Sequence, residues 1–366
     1  MMSTVAFGGS IAKRFVEQAP LDFKLPSYFY WISFVDLLLF LPVWAVLGYT
    51  FEHIYPTLAA VEDRLPEYEA VPTNDDDAPK GSTNPTPAAQ PGKPVTASLR
   101  ATNRLLKSHG GWASNFRGFG YAILISILTM ICAGFVGAIP VLGAHLGHLA
   151  GLVVLSPLST TLTHVVITPP SAKAFFRRIP PLRKTYTATL LPTIFLWTST
   201  HLSVMMPAAL AGAIGLSFGR PGGDGDDDGV RFGDSILTGA EAAKMLCVAA
   251  LAVALQAAFV VPAHALLARV KASLLPADEE TIVPFDRSFG GLVAPEVVDG
   301  KGFATLGAAL GSMSLASWRR IYLLRVKLFA VSVACHLLFA LLVVVQVLIV
   351  RQACDKGDGE GGLKCY

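Results

Sequence analysis

Charge is what this sequence has least of: Asp, Glu, Lys and Arg together make up 15% of its 366 residues, against roughly 25% in a soluble globular domain. With 53% of the chain apolar, a water-soluble fold would have too little polar surface to cover itself. Net charge is only +3, and the basic residues lie near the ends of apolar blocks rather than interleaved with aromatics along one face. That pattern argues against a nucleic-acid partner. Cysteine is scarce as well: Cys132, Cys247 and Cys335 fall inside apolar blocks, Cys354 and Cys365 in a polar tail. No CxxC and no Cys/His spacing suited to zinc occurs. A nucleotide-binding glycine loop, a GxSxG elbow and an HExxH pair are missing too. The expectation is therefore a non-enzymatic protein with no cofactor and no metal.

What is present is apolar sequence in blocks of about 20 residues, the length that crosses a ~30 Å hydrocarbon layer at 1.5 Å per helical residue. Six such blocks predict an all-α, polytopic membrane helix bundle, with spans at 28–50, 119–140, 141–168, 186–218, 239–268 and 326–350. The first is longer than a signal-peptide core and lacks a small-residue cleavage site, so it reads as a retained helix. Tyr28, Tyr30 and Trp31 at one end and Trp44 and Tyr49 at the other form the aromatic belts of the two interfaces.

Between the first two spans, residues 51–118 turn polar and Pro-rich, with the run Asp75, Asp76, Asp77 followed by PKGSTNPTPAAQPGKP. This predicts a disordered loop. Residues 303–315, followed by Trp318, Arg319 and Arg320, are apolar enough to lie along the membrane surface or dip into it. Placing 51–118, 171–185 and 269–327 on one side gathers 20 of the 29 basic residues there, which the positive-inside rule assigns to the cytoplasm. Both termini, segments 1–27 and 351–366, and the acidic 219–238 loop then face the exterior or a lumen. There Cys354 and Cys365 either form a disulfide or stand as free thiols. Lys13 and Arg14 alone do not make a mitochondrial presequence, so an endomembrane or plasma-membrane location is expected.

An ionisable group in lipid costs about 2.5–3.5 kcal/mol on insertion scales, and Asp36 within WISFVDLLLF is the clearest case. It reads either as a coupling carboxylate of a small-solute or proton-coupled transporter or as a structural polar anchor. The hydroxyl-rich fourth span, with Thr200 beside His201, offers a polar path, although Ser and Thr also bond their own helix carbonyls. Six of the eight histidines fall in apolar blocks. Paired imidazoles hold haem in membrane cytochromes, and by depth only His164 and His264 match; His145 and His148 lie at the opposite end, and His201 has no obvious partner. Interhelical hydrogen bonding is the alternative for all of them.

Gly143, Gly147 and Gly151 place a small-residue stripe on one face of the third span, for packing against an internal helix or a second copy in a homo-oligomer. Pro192, Pro207 and Pro262 remove backbone bonds inside the fourth and fifth spans. The glycines and aspartates at 222–229 read as a flexible acidic loop, with loose Ca²⁺ binding as the alternative. In the 51–118 loop, Leu65, Pro66 and Tyr68 match the LPxY form of a motif that docks WW domains of ubiquitin ligases, near Lys80 and Lys93 as acceptors.

The stretch TIVPFDRSFGGLVAPEVVDGKG, followed by Trp318-Arg319-Arg320 and a last apolar helix, resembles a group of fungal multipass membrane proteins of unassigned function that carry the automatic name ubiquitin carrier protein. The resemblance covers Thr281 to Val350 and implies a membrane location. It does not imply conjugation chemistry: a ubiquitin-conjugating enzyme needs a soluble α/β domain around an exposed cysteine. No polar segment here is long enough, and the loops assigned to the cytoplasm contain no cysteine.

Overall fold

The computed structural model describes residues 27–63, 94–139, 143–171, 173–216, 239–294 and 301–357. Among them are helices and turns, with no strand. In chain order the main helices are α1 (Phe29–Val61), α2 (Leu99–Gly110), α3 (Phe119–Gly137), α4 (Gly143–Val154), α5 (Ser156–Ile167), α6 (Leu182–Ala213), α7 (Ala240–Ser273), α8 (Leu306–Gly311) and α9 (Leu315–Gly357). Five of the helices are long and apolar enough to cross a membrane, and the bent pair α4–α5 makes a sixth if it is one span. The chain is an all-α, multipass integral membrane protein.

Two compact units divide the chain. One comprises residues up to Leu41, Ser203–Ala254 and Cys335 onward; the other comprises Pro42–Leu202 and Leu255–Ala334. In the first, leucines and valines such as Leu39, Val253, Leu338 and Leu341 are exposed, as lipid-facing side chains must be. Phe40 packs edge-on against Phe339 at 4.8 Å.

The second unit holds the core. At 33 residues α1 is about 50 Å long, so it outruns the hydrocarbon, and its last two turns leave lipid for protein. Ile54, Leu58, Ala59, Ala60 and Val61 are fully or almost fully buried, each large aliphatic contributing about 1.5–3 kcal/mol. They pack with Leu106 of α2, Ile167 of α5, Val270 of α7, Val283, Phe289, Ala309 of α8 and Leu324 of α9. The same end of the unit is therefore built from helix termini and from the polar segments between them.

Several expectations change here. Residues 51–61 and 95–116, both within the expected loop 51–118, are helical or lie in short turns. The reason for the first is burial; α2 is amphipathic, with Thr102 and Leu106 inward and Arg100 and Arg104 exposed. The third span is broken: α4 and α5 meet at Leu155 with a bend of 59°, where Pro157 near the start of α5 cannot donate to the preceding turn. α6 begins at Leu182 and runs unbroken through Pro192 and Pro207. Wide π turns occupy Val46–Ile54 of α1 and Gln256–Val260 of α7, each just before a proline, Pro56 and Pro262, whose missing N–H and bulky ring disturb the regular ladder. Of the stretch 303–315, Ala304, Ala309 and Met313 are buried in the protein core, while Leu310 and Leu315 are exposed.

Candidate functional site: a cavity among six helices

Helical spacing brings polar groups to one face of α1, α5 and α7, and these meet faces of α3, α4 and α6 that contribute more apolar than polar groups, Leu152 among them. On α1 the stripe is Tyr49, His53, Thr57; on α3, Ala122, Ile125, Ser126; on α5, Ser159, Leu162, Thr163, Val166; on α7, His264, Leu267, Ala268, Lys271. α6 adds Thr193 and Leu196. They enclose a cavity of about 250 Å³, below the ~300–1,000 Å³ of pockets for drug-sized ligands. No carboxylate lines it.

Some of the lining hydroxyls are used up locally. Ser126 donates to Ala122 O at 2.9 Å, Ser159 to Ser156 O at 3.0 Å and Thr163 to Ser159 O at 3.1 Å. The Tyr49 hydroxyl donates to the carbonyl of Arg117. Thr57 and Thr193, by contrast, make no hydrogen bond among the described residues, and neither do the side chains of His264 and Lys271. The charges of Lys271 and Arg325 reach both His53 and His264, and Arg325 is itself paired with Glu52 at 3.0 Å.

Beyond the cavity, two buried ion pairs fix the end of α1. Glu62, 1% exposed, accepts from the amides of Val95 at 2.6 Å and Thr96 at 3.0 Å, and Arg320 of α9 lies 3.5 Å from it. Arg320 also donates to the carbonyls of Ala59 and Glu62, capping the last turn of α1. Asp63 takes a two-pronged contact from Arg269 of α7, at 2.9 and 3.3 Å, and accepts from the amide of Asp286. Arg269 lies over the Phe285 and Phe289 rings. The FDRSFGG part of the stretch that carries the family resemblance thus forms the bed under this pair: Asp286 accepts from the Ser288 and Gly290 amides at 2.8 and 2.7 Å, and Phe289 turns left-handed at φ +53°.

Asp286 is held below the ordinary carboxylate pKa by the Ser288 hydroxyl first, against partial burial, and by the Gly290 and Ser288 amides and Arg269. Lys173 is raised by its hydrogen bonds to Glu279 and Asp278.

The residues singled out by sequence fall at separate places. Asp36 is buried in the first unit, 7% exposed, with Oδ2 unpartnered among the described residues; Thr200 and His201 belong to the other unit. Thr200 donates to Leu196 O on its own helix at 2.9 Å. His201 does have neighbours: its ring lies 5.2 Å from His145, 6.1 Å from His148 and 4.3 Å from Trp197. His201 is 19 residues from the start of α6, about 28 Å along it, which is why it reaches the histidines of α4. Among the described residues no group of three or more His, Cys, Asp or Glu is arranged to hold a metal ion.

His164 Nε2, the atom a haem would need, is 2.8 Å from the carbonyl of Lys271, whereas His264 lines the cavity. A Cβ on Gly147 would lie 2.8 Å from Gly137 N, and one on Gly151 2.9 Å from Thr129 O, so these two glycines seat α4 against α3 within the chain. Gly143 has open space around it and φ +63°; it starts the helix. Leu65, Pro66 and Tyr68, the 219–238 loop and the Cys354 and Cys365 side chains lie outside the described residues. The cavity itself was missed by sequence reading; its signal was the polar stripe 49, 53, 57 and the His264–Lys271 face. Comparisons with protein-family models, with curated proteins and with solved structures find no match to this chain.

Proposed function

We propose that this protein is a non-enzymatic membrane carrier that holds a small polar solute in the six-helix cavity. The observation that carries the reading is the convergence on one space of Thr57, Thr193, His264 and Lys271, whose side chains make no hydrogen bond among the described residues. Packing alone does not call for donors left unbonded inside a membrane protein. The broken α4–α5 pair and the π turn of α1 border the cavity, and irregular helices of this kind flank solute sites in transporters. The test is accessibility. With the five native cysteines replaced, Ser126→Cys or Thr193→Cys in native membranes reacts with a small water-soluble thiol reagent, while lipid-facing Leu124→Cys does not. Unreactive cavity positions would refute the reading.

A second reading is favoured by the Glu62 clasp. Glu62 grips Val95 and Thr96, so the chain before residue 64 is bonded to the chain after residue 93, on the side to which the basic residues point as cytoplasmic. The motif Leu65-Pro66-Glu67-Tyr68, which follows Glu62 in sequence, suits capture by a WW-domain ubiquitin ligase and a role in trafficking or turnover. Tyr68→Ala should then abolish co-purification of the ligase; unchanged recovery would refute it.

A further inference from the structure

We infer that the solute of this cavity is a small oxyanion, a phosphate or carboxylate group, bound by Lys271 with His264 and the Thr57 and Thr193 hydroxyls as accessory donors. The inference rests on the carrier reading and goes further in naming the charge and chemistry of the ligand.

The argument begins with how this unit treats its other cations. Arg269 has Asp63, Arg320 has Glu62, Arg325 has Glu52, and Arg178 has Glu279. Where no carboxylate is at hand, carbonyls serve: Arg287 donates to those of Leu275 and Pro276, and Lys327 to that of Ala97. Lys271, half-buried against the cavity, has neither kind of partner among the described residues. An ammonium in a low-dielectric wall is costly without a counter-charge, and no wall residue among those described is acidic. The other titratable or charged groups at or near the space are Tyr49, His53, His264, Arg325 and Glu52, and the one carboxylate among them, Glu52, which also acts on His53, is taken up by Arg325 at 3.0 Å. A cation would be repelled from this space. An oxyanion would neutralise Lys271 and accept from the Thr57 and Thr193 hydroxyls, which have no other acceptor.

Size narrows the class. About 250 Å³ accommodates a phosphate or a short carboxylate with a few waters, each water taking ~30 Å³. A nucleotide does not fit. The anionic group can arrive as a free solute or as the headgroup of an anionic lipid entering between helices, and the chemistry at Lys271 is the same for both.

The experiment uses the full chain purified in mild detergent. Equilibrium binding is measured with radiolabelled inorganic phosphate and acetate, and lipid adducts by native mass spectrometry with phosphatidic acid against phosphatidylcholine. The wild type should bind at least one oxyanion probe. Lys271→Met should weaken that binding about ten- to a hundredfold, the loss of one charge-assisted hydrogen bond, with its unliganded melting temperature no lower than wild type; Lys271→Arg should keep most of it. Phosphate or acetate binding identifies a free solute, whereas phosphatidic acid adducts alone identify a lipid. No binding of any oxyanion probe, or equal binding by Lys271→Met, overturns the inference. Should Lys271→Met fail to fold, protection of Ser126→Cys from thiol reagent by the same probes replaces it: no protection by any probe overturns the inference. Reactive Ser126→Cys without oxyanion binding leaves the carrier reading intact; an unreactive Ser126→Cys removes both.

Discussion

Replacing Glu62 with alanine should unfasten the end of α1 and with it the return of the chain at residues 95–96. Glu62 and Arg320 are 1% and 5% exposed at the side chain, so water screens the pair little. Removing the carboxylate leaves a buried guanidinium without compensation, which costs about 3–5 kcal/mol. For a unit of 150–250 residues this is about 6–20 °C in thermal midpoint, at about 2–4 °C per kcal/mol. Two measurements read the change: intrinsic fluorescence during heating in detergent, and amide hydrogen exchange at Val95 and Thr96, whose N–H groups Glu62 holds at 2.6 and 3.0 Å. Exchange there should accelerate, while that of Val283, in the same core, changes less.

Arg320→Met alone should cost as much, because it strands Glu62. The double variant Glu62→Gln/Arg320→Met removes both charges and should recover part of the loss. Recovery is incomplete because Arg320 also caps the Ala59 and Glu62 carbonyls, which methionine cannot do. Coupled neighbours deviate from additivity by about 0.5–3 kcal/mol. Single-variant losses that add within about 0.5 kcal/mol, with unchanged exchange at Val95 and Thr96, would refute the clasp.

Three further outcomes are expected. Gly147→Val drives a side chain into the Ala133–Gly137 backbone of α3 and should cost about 1–3 kcal/mol, read as a lower melting temperature; Gly143→Ala, with open space but φ +63°, should cost only the left-handed strain of about 1–2 kcal/mol. A melting temperature unchanged by Gly147→Val contradicts the seating of α4 on α3. The depressed pKa of Asp286 means that its contribution to the turn is present above the unfolded value near 3.9 and disappears as pH falls through the lower folded value; exchange at Ser288 and Gly290 should stay slow at pH 4 and quicken below it, and Asp286→Asn should flatten that profile. Asp36→Asn replaces a buried carboxylate whose Oδ2 is unpartnered among the described residues, so melting temperature and abundance should hold or rise; a clear fall in melting temperature would show that the charge itself anchors the first unit.

Hydropathy reports exposure to lipid, and this explains both what it revealed and what it hid. The spans were legible because Leu39, Ile131, Leu246 and Leu338 face outward. The end of α1 was not, since Glu52 and His53 close the apolar run while Ile54, Leu58 and Val61 continue the helix into protein. For the same reason Lys271 read as a loop residue: the apolar window stops near Ala268, but the helix runs to Ser273. His201 was left without a partner because hydropathy carries no register between α6 and α4, where His145 and His148 lie. The break at Leu155 did have a local signal in Pro157, and the partnership of Glu62 with Arg320 had none, because 258 residues separate them.

The distribution of charge partners gives the architecture its logic. Where α1, α7 and α9 end or begin outside lipid, the two buried arginines among the described residues meet carboxylates from neighbouring segments, Arg320 with Glu62 and Arg269 with Asp63. Such pairs add little net stability over apolar packing, but they penalise any arrangement that leaves one member buried alone. They therefore fix which segment lies against which helix, and that end of the unit is rigid in register. Beside Arg269 on α7 the rule lapses: Lys271, two residues on, and His264 face a cavity with no acid in its wall among the described residues. On the carrier reading proposed above, that unpaired lysine is where the charge of a solute would be met, and the paired arginines hold the surrounding segments in register.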